Sequence, residues 1–290
     1  MTMIFGIPIQ AFMGQILIGL INGSFYALLS LGLAVIFGLL RVINFAHGAQ
    51  YMLGAFVAFL GLKHLGIPYW AALVVGAFGA LVERTMLSRL YQLDHLYGLL
   101  FTFGLALTLE GTMRWYFGAS GQPYAAPAAL TGAVNLGFMV LPIYRGWVIL
   151  ASLIVCLAVW ALIEKTRLGA TLRAATENPT LVQSFGINVP MLLTLTYALG
   201  AGLAAIAGVL AAPIYQVSPL MGSNIIIVVF AVVVVGGMGS IMGAIVTGYL
   251  LGVAEGLTKV FYPEASNIVI FVIMAIVLIL RPAGLFGKEA

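Results

Sequence analysis

An all-α, polytopic membrane fold is what this sequence predicts, and three observations predict it. Between Glu177 and Glu255 the chain runs 77 residues without a charged side chain. Charged residues are 7% of the 290, hydrophobic residues are 63%, and mean hydropathy is +1.17, where a globular domain carries ~25% charge. The third observation is the 35 glycines, which suit helices packed backbone to backbone in lipid. A soluble surface that uncharged over a quarter of its chain would aggregate. A bilayer requires the omission, since each charge near its centre costs about 2.5 kcal/mol or more.

The elements follow from the apolar runs. A span needs about 20 apolar residues, fewer when neighbours bury it. The runs are 13–40, 48–62, 66–83, 97–117, 146–163, 190–212, a composite segment 222–256, and 265–280. These give about eight membrane segments in a single transmembrane domain covering 1–290. The first run must tilt, or break near Asn22-Gly23, because 28 residues of straight helix would exceed the bilayer core. No basic residue precedes the first apolar run and no small-residue cleavage site follows it, so no removable signal peptide is expected.

Loop charge sets the sidedness. Arg84 and Arg89 lie in the 83–95 connection, and Lys165, Arg167 and Arg173 lie in 164–177, whereas the 118–144 loop has no Lys or Arg. By the positive-inside rule the first two face the cytoplasm and the third faces out. The tail after Arg281, with Lys288, faces the cytoplasm too. The net charge of +4 therefore orients a membrane protein and does not point to nucleic acid. This topology forces the 222–256 segment to enter and return, as a broken or re-entrant pair of half-length helices. They would meet at Gly236-Gly237-Met238-Gly239-Ser240, with that backbone inside the membrane and shielded by protein.

Small residues recur about every fourth position at Gly239, Gly243, Thr247/Gly248, Gly252 and Gly256. The stripe invites close approach of another helix, either within the chain or across a subunit interface. Polar residues within spans are the second clue, because lipid makes them expensive. Asn22, Tyr26, Asn44, His47 and Gln50 are the candidates for lining a translocation path. Asn44, His47 and Gln50 are spaced by three and share one helical face. Alternatively, Asn44 caps the second helix and His47 pairs with a backbone carbonyl. Glu110 and Arg114 stand four apart and read as a structural ion pair. Glu255 falls towards a span end, so no fixed ion is expected at mid-membrane and the solute should be net neutral.

On the charged side, Asn178 as cap, Pro179 as first helical residue and Gly186 after the last turn delimit a short helix. Leu181, Val182 and Phe185 give it an apolar face. Such a helix outside the membrane either docks in a partner's groove or folds against its own bundle. Several sites are absent from the sequence: the P-loop signature, and the paired histidines of a zinc protease. Gly118-Ala119-Ser120-Gly121 resembles a serine-protease motif but has no following histidine. An enzyme, a metal site and a cofactor are not expected, and the lone Cys156 reads as a packed small hydrophobe.

Four separated motifs, in order, carry a resemblance. They are Arg41-Val-Ile-Asn-Phe-Ala-His-Gly48 with Tyr51-Met-Leu-Gly-Ala55, the Arg173-to-Gly186 segment, Gly236-Gly-Met-Gly-Ser240, and Arg281-Pro-Ala-Gly-Leu-Phe-Gly287. Together they resemble the LivH-type permease of bacterial branched-chain amino acid ABC transporters, with Ala283 where a polar residue is expected. The resemblance implies an inner-membrane location, a second homologous permease, two cytoplasmic ATPases that bind the ATP, and a periplasmic binding protein. It implies that Arg173, Glu177, Asn178, Leu181, Val182, Phe185 and Gly186 belong to the ATPase-coupling segment. Urea and short-amide importers use similar permeases, and a stand-alone secondary transporter or channel is the reading from another class.

Overall fold

The computed structural model describes residues 3–4, 7–40, 44–78, 95–137 and 139–287. The loop carrying Arg84 and Arg89, the residues Arg41, Val42 and Ile43, and the terminal Lys288 lie outside them. Eleven α-helices carry the described chain: α1 Ile9–Leu40, α2 Ala46–Leu65, α3 Tyr69–Phe78, α4 His95–Phe117, α5 Ile143–Lys165, α6 Arg167–Glu177, α7 Pro179–Ser184, α8 Val189–Tyr215, α9 Met221–Gly236, α10 Ile241–Phe261 and α11 Val269–Leu280. Two short antiparallel pairs, β1 Met3–Ile4 with β2 Ile7–Pro8 and β3 Ala133–Asn135 with β4 Val140–Pro142, and two 3-10 turns, Ala128–Leu130 and Pro263–Ala265, complete it.

Helix α1 is unbroken through Asn22-Gly23 over its 32 residues. At 1.5 Å per residue it is about 48 Å long, so it tilts or protrudes. It lies at the centre of the bundle, against α8, α10, α5 and α9. Phe25, Leu28 and Leu29 of α1, Tyr51 and Phe56 of α2, and Leu210 of α8 are all buried in one cluster. Burial separates central from peripheral helices. The most apolar stretches of α1 and α8 are 78% buried, but that of α5 is only 33% buried. Helix α5 exposes Leu150, Ile154 and Leu157, which is the face that lipid would cover. Among the described residues four helices (α1, α5, α8 and α10) are long and apolar enough to cross a membrane, with α9 and α11 shorter.

The composite segment is a broken pair, with its turn at Gly236–Ser240 as the glycines predict. Gly237 and Gly239 have φ of 97° and 85°, and Ser240 caps α10 by accepting from the Gly243 N–H at 3.1 Å. The depth of that turn differs from expectation. It abuts Gly38 at the end of α1 and shares a pocket with Glu164 and Arg173, so it lies level with the charged ends of α5 and α6. The helices are also unequal: α9 has 16 residues and α10 has 21, or roughly 24 Å and 31 Å. A short α9 and a full-length α10 fit where two full spans would not, which removes the need for a turn at mid-membrane.

The tail closes over this turn. The Leu285 N–H donates to the Val235 carbonyl at 2.8 Å, and that of Phe286 to the Gly236 carbonyl at 3.2 Å. At the other end of the bundle, Gln122 and Val217 form an isolated antiparallel bridge that ties the 118–142 loop to the α8–α9 turn. Tyr124 of that loop is buried, and burial raises its hydroxyl above the usual tyrosine range.

Candidate functional site

Small residues make the first part of the site possible. Gly248, Gly252 and Gly256 of α10 lie directly on the α1 backbone. A β-carbon on Gly248 would come within 2.6 Å of Ala27 Cα, and one on Gly252 within 2.5 Å of Gly23 Cα. The rest of the stripe serves the turn, with Gly243 against the Gly236 carbonyl and Gly239 against Gly38. All these neighbours belong to the same chain.

Backbones this close let polar side chains on the two helices meet. Tyr26 Oη donates to Glu255 Oε2 at 2.7 Å, and Asn22 Nδ2 donates to Glu255 Oε1 at 3.4 Å. Lys259, one turn on, donates to the same Oε1 at 2.5 Å. Tyr215, the last residue of α8, donates to Asn22 Oδ1 at 2.6 Å and so fixes which way the amide points. Glu255 is only 7% exposed, and three donors converge on its carboxylate. Such satisfaction is what a buried charge requires.

This network borders a cavity of about 590 Å³, walled further by Tyr51, Ser218 and Asn224. That volume lies in the range of small-molecule sites, ~300–1,000 Å³. Tyr215 and Lys259 place it towards the end of the bundle opposite the Gly236–Ser240 turn.

The five path candidates thus divide. Asn22 and Tyr26 line the cavity. Asn44 and His47 have no exposed surface and offer nothing to a solute in this conformation. Asn44 Nδ2 donates to Tyr197 Oη at 2.6 Å, and its Oδ1 accepts from the Ala46 N–H at 3.0 Å, holding the start of α2. His47 Nε2 donates to the Leu29 carbonyl at 2.9 Å, which joins α2 to α1. Gln50 Nε2 donates to the same Tyr197 hydroxyl at 3.1 Å. The expected Glu110–Arg114 ion pair is not formed: Glu110 instead accepts from the Ser223 hydroxyl of α9, and Arg114 is exposed.

The second part of the site is the α6–α7 elbow. Asn178 Oδ1 accepts from the Leu181 N–H at 3.0 Å, Pro179 opens α7, and Gly186 has φ 78°. Arg173 donates to the Ile163 carbonyl at 2.6 Å and lies 3.7 Å from Glu164, which ties α6 to the end of α5. The apolar face of α7 is split. Val182 is buried with Ala175 and Val189, whereas Leu181 and Phe185 are 53% and 76% exposed. A pocket of about 430 Å³ joins Glu164, Arg173 and Glu177 to Ser240 of the turn and Phe286 of the tail.

Comparison with known proteins is decisive at this point. Residues 15–278 match the family model described as "Branched-chain amino acid transport system / permease component". The chain belongs to this permease family. It is therefore a multi-pass membrane transport component, as the fold indicates. Among its relatives is the high-affinity branched-chain amino acid transport system permease protein BraD of Pseudomonas aeruginosa, 32% identical over 97% of both chains. LivH of Escherichia coli is 30% identical over 96% of both. The probable permease LivH of Methanocaldococcus jannaschii is 30% identical over 93% of this chain and 91% of its own. No solved structure matches the chain.

Within this permease, sequence reasoning missed Glu255, Lys259 and Tyr215 as cavity residues. One signal was present: Glu255 and Lys259 stand four apart at the end of the glycine stripe, on the face that Gly248 and Gly252 define.

Proposed function

We propose that the chain is a membrane permease subunit of an ATP-driven ABC importer in the bacterial inner membrane. With a homologous permease it forms the passage for branched-chain amino acids handed over by a periplasmic binding protein. Two cytoplasmic ATPases bind and hydrolyse the ATP and push on the α6–α7 elbow. The observation that carries the reading is the pair Leu181 and Phe185, displayed to solvent on a capped helix outside the spans. An exposed apolar pair on a rigid helix is a docking element, and the sequence offers no nucleotide-binding loop of its own. The relatives' names supply the substrate class.

Reconstitution of the permease with the ATPases and binding protein in vesicles tests this. Leucine, isoleucine or valine should stimulate ATP hydrolysis and accumulate inside. Buried Glu255 in the cavity favours a second reading, a stand-alone ion-coupled transporter. Uptake driven by an ion gradient with no ATPase present would establish that reading and overturn the first.

A further inference from the structure

The cavity walls carry one negative and one positive group, already paired with each other. Glu255 Oε1 receives Lys259 Nζ at 2.5 Å, while Tyr26 and Asn22 hold the carboxylate from α1. The two partners are not equally fixed. The Glu255 side chain is 9% exposed and stays bound by Tyr26 and Asn22 if Lys259 leaves. The Lys259 side chain is 32% exposed, and four rotatable bonds let it swing within the cavity.

We propose that this pair is a zwitterion-exchange station. An α-amino acid entering the cavity presents its ammonium to Glu255 Oε1 in place of Lys259 Nζ. The freed Lys259 ammonium then takes the solute's carboxylate. The exchange trades one ion pair for two, so charge balances throughout and no ion is left unpaired in a poorly solvated space. A cation entering alone would leave Lys259 uncompensated, and an anion would leave Glu255 so. An uncharged amide would gain nothing from opening the pair. The station thus assigns the cavity to zwitterionic amino acids over urea or short amides. Ile225 and Val228, partly exposed in the wall, give the solute's side chain an apolar surface. Because the solute replaces a bond the protein already makes, binding is weak, which suits a passage that must release what it takes.

The inference rests on the permease reading, and the test separates the two. Cys156, the sole cysteine, is buried, so Asn224→Cys supplies one exposed reporter on the cavity wall. In the permease–ATPase complex in lipid vesicles, the rate of labelling by a water-soluble thiol reagent is measured with and without leucine. At four times its dissociation constant leucine should slow labelling about fivefold, while 4-methylpentanamide, with the same carbon skeleton and no charges, should not. Glu255→Gln and Lys259→Gln should each abolish the slowing. Lys259, being partly exposed, remains testable where the Glu255 change prevents folding. Equal protection by leucine and the amide, or protection that survives Lys259→Gln, overturns the station. So does absence of protection in a complex that still imports leucine. Failure of the wild-type complex to import any aliphatic amino acid overturns the permease reading, and the station with it.

Discussion

Gly252 of α10 rests on Gly23 of α1 so closely that a β-carbon would lie 2.5 Å from the Gly23 Cα. The neighbouring residues on the same faces, Asn22 and Glu255, are hydrogen-bonded at 3.4 Å. The first contact makes the second possible, because Asn22 could not reach a carboxylate on a helix held a side chain's width away.

Gly252→Leu should therefore damage the fold and the cavity together. Four added carbons have no space, and overpacking a tight interface costs about 1–3 kcal/mol or more. The expected result is lower folded yield and a lower thermal midpoint in detergent. Gly104 and Gly111 of α4, where nothing lies within 4 Å, should accept Leu without loss. Equal stability of the Gly252 and Gly104 variants would show that α1 and α10 are not packed this way.

The split face of α7 gives a sharper test of docking than its sequence does. Leu181→Asp and Phe185→Asp alter exposed positions and should leave the permease folded while weakening ATPase binding by about 2 kcal/mol or more. Val182→Asp places a charge among Ala175 and Val189 and should lower permease stability instead. Copurification of the ATPases, measured beside permease yield, distinguishes the outcomes. If both exposed variants retain full coupled transport, the elbow does not dock there.

Asn44→Ala and His47→Ala should act on stability before transport. Each removes a buried hydrogen bond and leaves the Tyr197 hydroxyl or the Leu29 carbonyl with one bond fewer, a loss of about 1–3 kcal/mol. Detergent unfolding should show the drop. Unchanged stability with slowed uptake would mean instead that both residues turn into the path during the cycle.

What the sequence disclosed was local. The α7 cap is written in neighbouring residues, Asn178, Pro179 and Gly186, and a local hydrogen bond at 3.0 Å realises it. The turn at Gly236–Ser240 was legible for the same reason, since its glycines adopt the positive φ they permit. Its depth was not legible, because depth follows from the unequal lengths of α9 and α10, and the uncharged run crosses the turn without a break from Met221 to Ala254. Glu255 was not legible because a position near a span end does not report exposure. Burial depends on what packs alongside, and Asn22 lies 233 residues away. Asn44 and His47 are costly in lipid by residue type alone, yet cost does not separate a path from a strut.

The tail offers the last prediction. Leu285 and Phe286 donate to the final carbonyls of α9, which a helix end otherwise leaves unpaired. Gly284 sits so close to the turn that a β-carbon would lie 2.6 Å from Gly237 Cα. The tail thus clamps the turn between α9 and α10 and borders the same pocket as Arg173 and Glu177. Truncation after Pro282 should free two carbonyls and loosen the turn without unfolding the bundle, since the main core cluster draws on none of these residues. Amide exchange at residues 236–240 should accelerate while that of buried α1 and α8 stays slow. Because the pocket connects the turn to the elbow, ATP hydrolysis in the reconstituted complex should become less dependent on substrate. Unaltered exchange at the turn in the truncated chain would show that the glycines hold their conformation without the clamp.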